Sequence, residues 1–423
     1  MKKIVISILN VLTKVKMSLE SFIFSYLHPI RVRKIKKRIL NRIENKENIR
    51  VLFIVQFPEM WNSLKGIYKE MAEREGFDAK ILAVPKRLQS NIFRTTFDSN
   101  NEAFVFLGKA GVPVINAYED GKWISIGNEY DYIFLQRPYD PFMPKSLSMS
   151  KLSSKGLLCY IPYGFEFTTG KHLEIEYNTK AVDNLYLVYA DNSDSFIHCQ
   201  KAFKRYIKKK AVVIFDEGYP RFDFIKKANL EKKEEKVFLW LPRWSLDEAN
   251  DRSGFFNYYD KFMSLFNSMD CKDWKLIIRP HPLMFTNFLE RGFLTPEQYK
   301  AILHQIDDSN RVELDRNPDY LDAFERSDVL IADFTTLIVE YFVTGKPIIY
   351  CGDNAYFNSV AREMEQGLYK ANTWELIEKC MRDVQSEDSL RTKRNLAISR
   401  VLCHKYPVSK HFVDLLEDIS RNM

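Results

Sequence analysis

His281 stands between two prolines in "KLIIRPHPLMF" (275–285), directly after an apolar run that ends at Arg279. Each proline fixes its own φ and pushes its predecessor toward extended geometry. The imidazole is therefore held at a strand's exit with little backbone freedom, which suits a residue that meets a ligand. Two further groups fall where strands are expected to end. In "SDVLIADFTTLIVEYFVTGKPIIY" (327–350) a strand ends at Asp333, and Thr335 and Thr336 open an apolar helix that stops at Gly345. A threonine at a helix start caps orphan amides, and the unpaired N–H groups with the helix dipole attract phosphate. In "WLPRW" (240–244), Arg243 lies just past another strand. Arg243, Arg279, His281 and a helix N-terminus on one sheet edge are the parts of a diphosphate site, with forked hydrogen bonds from Arg and a directional donor from His281. Each group alone reads equally well as a helix cap, a satisfied histidine or a surface ion pair. Their coincidence at successive strand ends carries the expectation.

The elements that must position these residues alternate along the chain. Strands are expected at 50–56, 79–85, 130–136, 155–164 and 211–216, with helices at 63–75 and 196–207. "KKANLEKKEEK" (226–236) is charged without an apolar period and reads as a linker. Beyond it, strands are expected at 237–242, 275–278, 311–315, 328–333 and 347–351. Helices fall at 255–269, 296–305, 319–327 and from about Thr336 to Thr344. Continuous apolar strands between helices mean parallel sheets covered on both faces. The expected fold class is α/β: two doubly wound domains, 49–225 and 237–423, facing a cleft, with ligands at the carboxyl ends of strands. The last helices are free to pack back on the first domain.

At 423 residues the chain suits two domains rather than one core. Six cysteines show no CxxC or zinc spacing with the seven histidines, which fits reduced thiols. The net charge of +7 is uneven: residues 1–50 carry 13 Lys/Arg against three Glu. The opening "MKKIVISILNVLTKVKMSLESFIFSYL" lacks the roughly 20 apolar residues of a spanning helix, and no small-x-small cleavage site follows it. Val5, Ile8, Leu12, Val15, Leu19 and Phe22 recur at helical steps before the basic run. Residues 1–48 are therefore expected to lie against an anionic membrane surface; a helix packed on its own protein is the other reading. Nucleic acid is not expected, because the basic residues lack interleaved stacking aromatics.

"RPHP" followed some fifty residues on by "DFTTLIVEYFVTGKPIIY", together with "GYPRFD" (218–223) and "WLPRWS" (240–245), resembles the CDP-glycerol glycerophosphotransferases that build teichoic acids. Four motifs in that family's order cover roughly residues 155–350. The resemblance implies a GT-B-like pair of Rossmann-type domains. A CDP-alditol donor would bind in the C-terminal domain, and a lipid-linked or polymeric glycan acceptor at the N-terminal one. It implies that His281 contacts the donor pyrophosphate, that Thr335 and Thr336 hold a phosphate and that Asp333 braces their turn. Glu340 would bond the ribose, and Gly218, Pro220 and Arg221 would shape the interdomain corner. The family's Trp-His-Gly segment, whose histidine is the general base, corresponds here to "CYIPYGFEFTTGKH" (159–172), with Tyr163 before Gly164. A phenol with a pKa near 10 is a poor base at pH 7. Glu166 is the first choice for that role and His172 the second, with Tyr163 positioning the acceptor.

The expected reaction is transfer of an alditol phosphate from the CDP-alditol, a substrate rather than a cofactor, to an acceptor hydroxyl. No metal is expected, since no DxD motif is present. The enzyme is expected at the cytoplasmic face of the membrane. Two other readings share the fold: a nucleotide-sugar glycosyltransferase of capsule or surface polysaccharide, and a non-catalytic membrane-associated module of a polymer-assembly complex.

Overall fold

The computed structural model describes residues 26–90, 95–169, 177, 182–216, 218–227, 235–247, 253–352, 357–402 and 407–423. It holds two compact units, each built on a parallel sheet. In the first, the strands are β1 (Ile49–Val55), β2 (Phe77–Ala83), β3 (Ile115–Asn116), β4 (Tyr132–Leu135), β5 (Leu157–Tyr160), β6 (Leu185–Tyr189) and β7 (Val213–Phe215). They lie in the order β7-β6-β5-β4-β1-β2-β3. In the second, β8 (Lys236–Leu241), β9 (Trp274–Ile278), β10 (Val312–Leu314), β11 (Val329–Ala332), β12 (Ile348–Tyr350) and β13 (Tyr369–Lys370) lie in the order β10-β9-β8-β11-β12-β13. Every pairing within both sheets is parallel. Runs such as YIFL and VLIA are buried at every position, the signature of sheets covered on both faces.

The units cross the expected boundaries. Helix α5 (Val408–Arg421), preceded by α1 (residues 26–44), α2 (Asn62–Glu73), α3 (Phe255–Phe266) and α4 (Leu337–Val343), belongs to the first unit, the packing left open above for the last helices. Phe412 packs on Phe134, Tyr189 and Phe215, the Ser420 hydroxyl meets the Tyr132 phenol at 2.7 Å, and Arg74, just past α2, ion-pairs with Asp414 at 2.6 Å. The short segment Gly164–Thr169 and residues from Arg221 onward belong to the second unit. Of the linker, 228–234 lie outside the described residues.

The described part of the basic arm packs one of its faces on the first unit. Residues 1–25 lie outside the described residues, but α1 turns Val32, Ile35 and Ile39 into the core of the first unit. Arg38 and Arg42 converge on the fully buried Asp131 carboxylate at 2.9 and 3.1 Å, and the Arg50 amide donates to it at 3.0 Å. An apolar stripe at helical spacing finds its partner in the nearest sheet, and half-buried arginines follow a carboxylate out of water. Residues 26–44 are thus a packed helix on their own protein. Among the described residues, no helix is long and apolar enough to cross a membrane. Strand β6 has no counterpart in the sequence-based expectation, and the helix expected at 196–207 breaks at Phe203 into Ser193–Ala202 and Lys204–Lys208.

His28 on α1 is buried, with its ring edge-on to Tyr206 and its Nε2 bonded to the Ala211 carbonyl at 3.2 Å. Burial, with the Arg31 charge adding to it, lowers its pKa to about 4. The unfolded chain binds that proton near pH 6.5, so stability is complete above that and is lost as pH falls toward 4. The loss reaches about 3 kcal/mol by linkage. Urea unfolding at pH 7 and 4.5 should show this drop in the parent and a clearly smaller one in His28→Phe; equal drops would refute it.

Candidate active site

Strands β8, β9 and β11 are neighbours, and their carboxyl ends bring the three candidate groups together in the second unit. The chain leaving β9 stays beside the chain leaving β8: the Arg279 amide donates to the Trp240 carbonyl at 2.9 Å, and the His281 amide to the Pro242 carbonyl at 3.2 Å. From β11, the Asp333 carboxylate reaches across to both neighbours. Its Oδ2 accepts from the Arg243 amide at 3.0 Å and from the Gly254 amide at 2.9 Å, just before α3. The Arg243 guanidinium then bonds the Phe334 carbonyl at 2.6 Å and lies over the Phe334 ring.

His281 is set by its own turn. The Leu283 amide donates to Nδ1 at 3.2 Å, which assigns the ring proton to Nε2. The ring sits 6.2 Å from that of Trp244. The residue is exposed to solvent. Desolvation, and then the Arg243 charge, pull its pKa down to about 4. That exposure tempers the first cause but leaves the direction: the imidazole is neutral at pH 7. It is a directional N–H donor there, and the positive charge of the site comes from Arg243.

Arg279 is placed elsewhere than expected. The β9–β10 register sets Ile278 against Leu314, so Arg279 comes beside Asp315 and pairs with it at 2.5 Å, both side chains nearly buried. A second bond at 3.4 Å reaches the Pro318 carbonyl. Its charge is spent on the sheet edge. Glu340 likewise has another setting from the ribose contact implied by resemblance. It is fully buried on α4, where its Oε2 accepts from the Tyr320 phenol and pairs with Arg221 at 3.3 Å. Arg221 also donates to the Tyr320 oxygen at 2.9 Å. Burial raises the Glu340 pKa against the pull of Arg221. Arg221 with Pro220 opens the turn Pro220–Phe224 and ties it to α4, while Gly218 supplies a positive φ of 103° just before it, in the first unit.

The helix expected from Thr336 is α4, two turns long, with no side-chain cap from Thr336; Thr335 Oγ1 accepts from the Leu337 amide at 3.4 Å. Thr336 is exposed, and its side chain would lie 3.2 Å from a Cβ at Gly164, so the glycine permits this approach. The Gly164–Thr169 segment runs along this helix start, with Phe167 stacked on Phe334 at 5.0 Å. Asn358 holds it through bonds to the Glu166 and Phe167 carbonyls. Glu166 is therefore in the second unit with the phosphate candidates. Its Oε1 accepts from the Thr168 amide at 2.8 Å and from the Thr168 hydroxyl. Tyr163 belongs to the first unit. His172 lies outside the described residues.

Sequence reasoning passed over Gly254, Trp244, Asn287 and Tyr320. A Cβ at Gly254 would meet the Tyr258 ring at 2.8 Å and Asp333 at 3.1 Å, so only glycine lets α3 start against the carboxylate. Asn287 bonds the Trp244 carbonyl at 2.9 Å and props the loop that carries Arg243. The Ser-Gly pair before "FFNYY" was a helix-start signal for Gly254; the Asn287 contact had none. Among the described residues, no group of three or more His, Cys, Asp or Glu side chains is arranged to hold a metal ion.

The family described as CDP-glycerol:poly(glycerophosphate) glycerophosphotransferase matches residues 36–364. No curated protein matches the chain by sequence. Among solved structures, a putative UDP-N-acetylglucosamine 2-epimerase from Listeria monocytogenes superposes with a TM-score of 0.56 at 12% identity, covering 89% of this chain and 98% of that one. A UDP-GlcNAc 2-epimerase from Neisseria meningitidis bound to UDP-GlcNAc gives 0.55 at 12%, covering 88% and 100%. A variant of the wall teichoic acid polymerase TagF gives 0.52 at 13%, covering 93% and 98%. At such identities these likenesses speak for the fold, two Rossmann-type units of GT-B-like kind. With the family match spanning more than half of its length, the chain belongs to the CDP-glycerol:poly(glycerophosphate) glycerophosphotransferases and is a transferase of that kind.

Proposed function

We propose that the chain transfers glycerol phosphate, or a related alditol phosphate, from its CDP-activated form to a hydroxyl of a polymeric or lipid-linked acceptor. The observation that carries this is His281, a neutral imidazole whose Nδ1 is occupied by the Leu283 amide and whose Nε2–H is left to donate outward beside Arg243. In this reading the acceptor oxygen attacks the alditol-bearing phosphorus, its proton goes to a carboxylate, and the bond to the bridging oxygen breaks to release CMP. His281 Nε2–H and Arg243 meet the charge that grows on the phosphates. Thr335 and Thr336 present hydroxyls beside the same strand ends, and Asp333 fixes their distance from Arg243. Glu166 is the proposed base and Tyr163 the proposed acceptor-positioning residue. The donor is a substrate, and no cofactor is assigned.

Peripheral attachment to the inner membrane face is part of the same reading. Tyr26, Leu27 and Ile30 on α1 are exposed, as are Arg33, Lys34 and Lys37 on the same helix. Apolar anchors flanked by lysine and arginine suit an anionic lipid surface, each charge adding about 1 kcal/mol.

Calorimetry with CMP, CDP-glycerol, CDP-ribitol, UDP and UDP-sugars tests the donor assignment. Cytidine-selective binding, weakened in His281→Ala together with a fall of roughly 10²- to 10³-fold in turnover, is expected. Uridine selectivity would replace the alditol-phosphate reading with a sugar-transfer one. For the base, Glu166→Gln should lower kcat by about 10²-fold or more while CDP binding holds; unchanged turnover would move that role to another group, His172 first. For Glu340, the buried setting predicts that Glu340→Gln lowers stability by about 1–3 kcal/mol without changing the ratio of CMP to dCMP affinity. A collapse of that ratio would restore a ribose contact.

A further inference from the structure

The first unit carries a cation that the donor chemistry leaves unused. Counting outward from β1, the strand order runs to β2 and β3 on one side and to β4 through β7 on the other. The order therefore reverses between β1 and β4, the point where an open α/β sheet splays its loops and receives ligands. A narrow crevice lies there, lined by Gln56 and Phe57 after β1 and by Gln136, Arg137 and Tyr139 after β4.

Its floor is rigid. The Gln136 side-chain oxygen accepts from the Gln56 and Phe57 amides at 2.7 and 2.9 Å, and its nitrogen donates to the Phe57 carbonyl at 2.8 Å. Gln56 in turn bonds the Pro85 and Phe142 carbonyls, each at 3.0 Å. Over this floor the Arg137 guanidinium is stacked among three rings, 4.3 Å from Phe142, 4.7 Å from Phe57 and 5.1 Å from Tyr139. Rings engage the faces of a guanidinium and leave its in-plane N–H fork without acceptors. Its Nε is buried and has no hydrogen-bond partner, and among the described residues no carboxylate pairs with Arg137. Neighbouring Lys86, by contrast, is neutralised by Glu59 and Glu102 at 3.4 and 2.7 Å. A half-buried, pre-oriented guanidinium whose Nε lacks an acceptor is pre-organised for an anion from outside. Burial lowers the Arg137 pKa, opposed by Tyr163, which stands immediately before Gly164, by Tyr139 and Tyr160, and by Glu59.

We propose that Arg137 binds a phosphodiester of the acceptor chain at the mouth of this crevice of the first unit. One guanidinium matches the single charge of a diester, and the solvent-reached Phe142 and Tyr139 rings stacked beside it suit the carbons on either side. The proposal rests on the polymeric acceptor of the preceding section, taken here as a poly(glycerol phosphate), but not on the donor site.

The test is binding of a short poly(glycerol phosphate) oligomer to the full chain, with CDP binding measured on the same samples. Arg137→Gln should weaken oligomer binding at least tenfold, Arg137→Lys should restore part of it, and CDP affinity should hold in both. Unchanged oligomer affinity in Arg137→Gln overturns the proposal. Hydrogen exchange on the parent protein gives a reading that does not depend on either variant folding. Oligomer should slow exchange in peptides covering 56–60 and 136–149, and no slowing there overturns it. Equal slowing by inorganic phosphate overturns the diester assignment. A parent that binds CDP but not the oligomer sinks this proposal alone, whereas one that binds the oligomer but no cytidine nucleotide sinks the donor reading alone.

Discussion

One carboxylate organises the second unit's site. Asp333 ends β11 and takes two backbone amides on one oxygen, one from the end of β8 and one from the start of α3. Those amides belong to segments that no regular sheet or helix pairing would hold together. Without the carboxylate, each N–H would be left without its partner in a setting poor in water, at a cost of about 1–3 kcal/mol apiece. Its position fixes where Arg243 leaves the strand, and Arg243 fixes the electrostatic environment of His281. The conformational freedom removed from the prolines around His281 would mean little if the opposite wall could drift.

The same unit shows how charge near a site is divided between architecture and chemistry. Arg279 and Glu340 have the right types for ligand contacts, yet each is taken by a neighbour. Arg279 is paired with Asp315 through sheet register, and Glu340 with Arg221 through the Tyr320 phenol. A buried ion that already has a partner surrenders it only at the cost of leaving both charges buried and uncompensated. His281 and Arg137 differ in that their polar edges are oriented by amides or aromatic rings, which leaves those edges open to an incoming group. Residue type nominates a ligand contact, and partner set decides it.

Most of the strands were legible because parallel strands buried on both faces are continuous apolar runs, and these ended within a few residues of the expected places. β6 escaped because LYLVY follows a long stretch without period, and a short apolar run by itself does not distinguish strand from buried helix. α5 was legible in principle, since Val408, Phe412, Val413 and Leu416 recur at helical spacing, but which unit it would join was not. That choice depends on Phe412 meeting Phe134, Tyr189 and Phe215, contacts between residues about 200 or more positions apart. In the site, the three strand-end groups could be read because sheet order brings successive strand ends together. The Arg279–Asp315 pair was hidden although "RVELD" placed an acid at the end of the next strand, and the Asp333–Gly254 bond had no sequence signal.

The return of α5 to the first unit has a consequence in time as well as in space. A chain made from its N-terminus completes β8 through β13 before residues 408–421 exist. The second unit can close its sheet as soon as its own strands are made. The first has all seven strands by residue 215 but lacks the helix that covers Phe134, Tyr189 and Phe215. During synthesis that apolar face waits through roughly two hundred residues, the time of about ten seconds or more at ordinary elongation rates. The unit that is begun first is finished last.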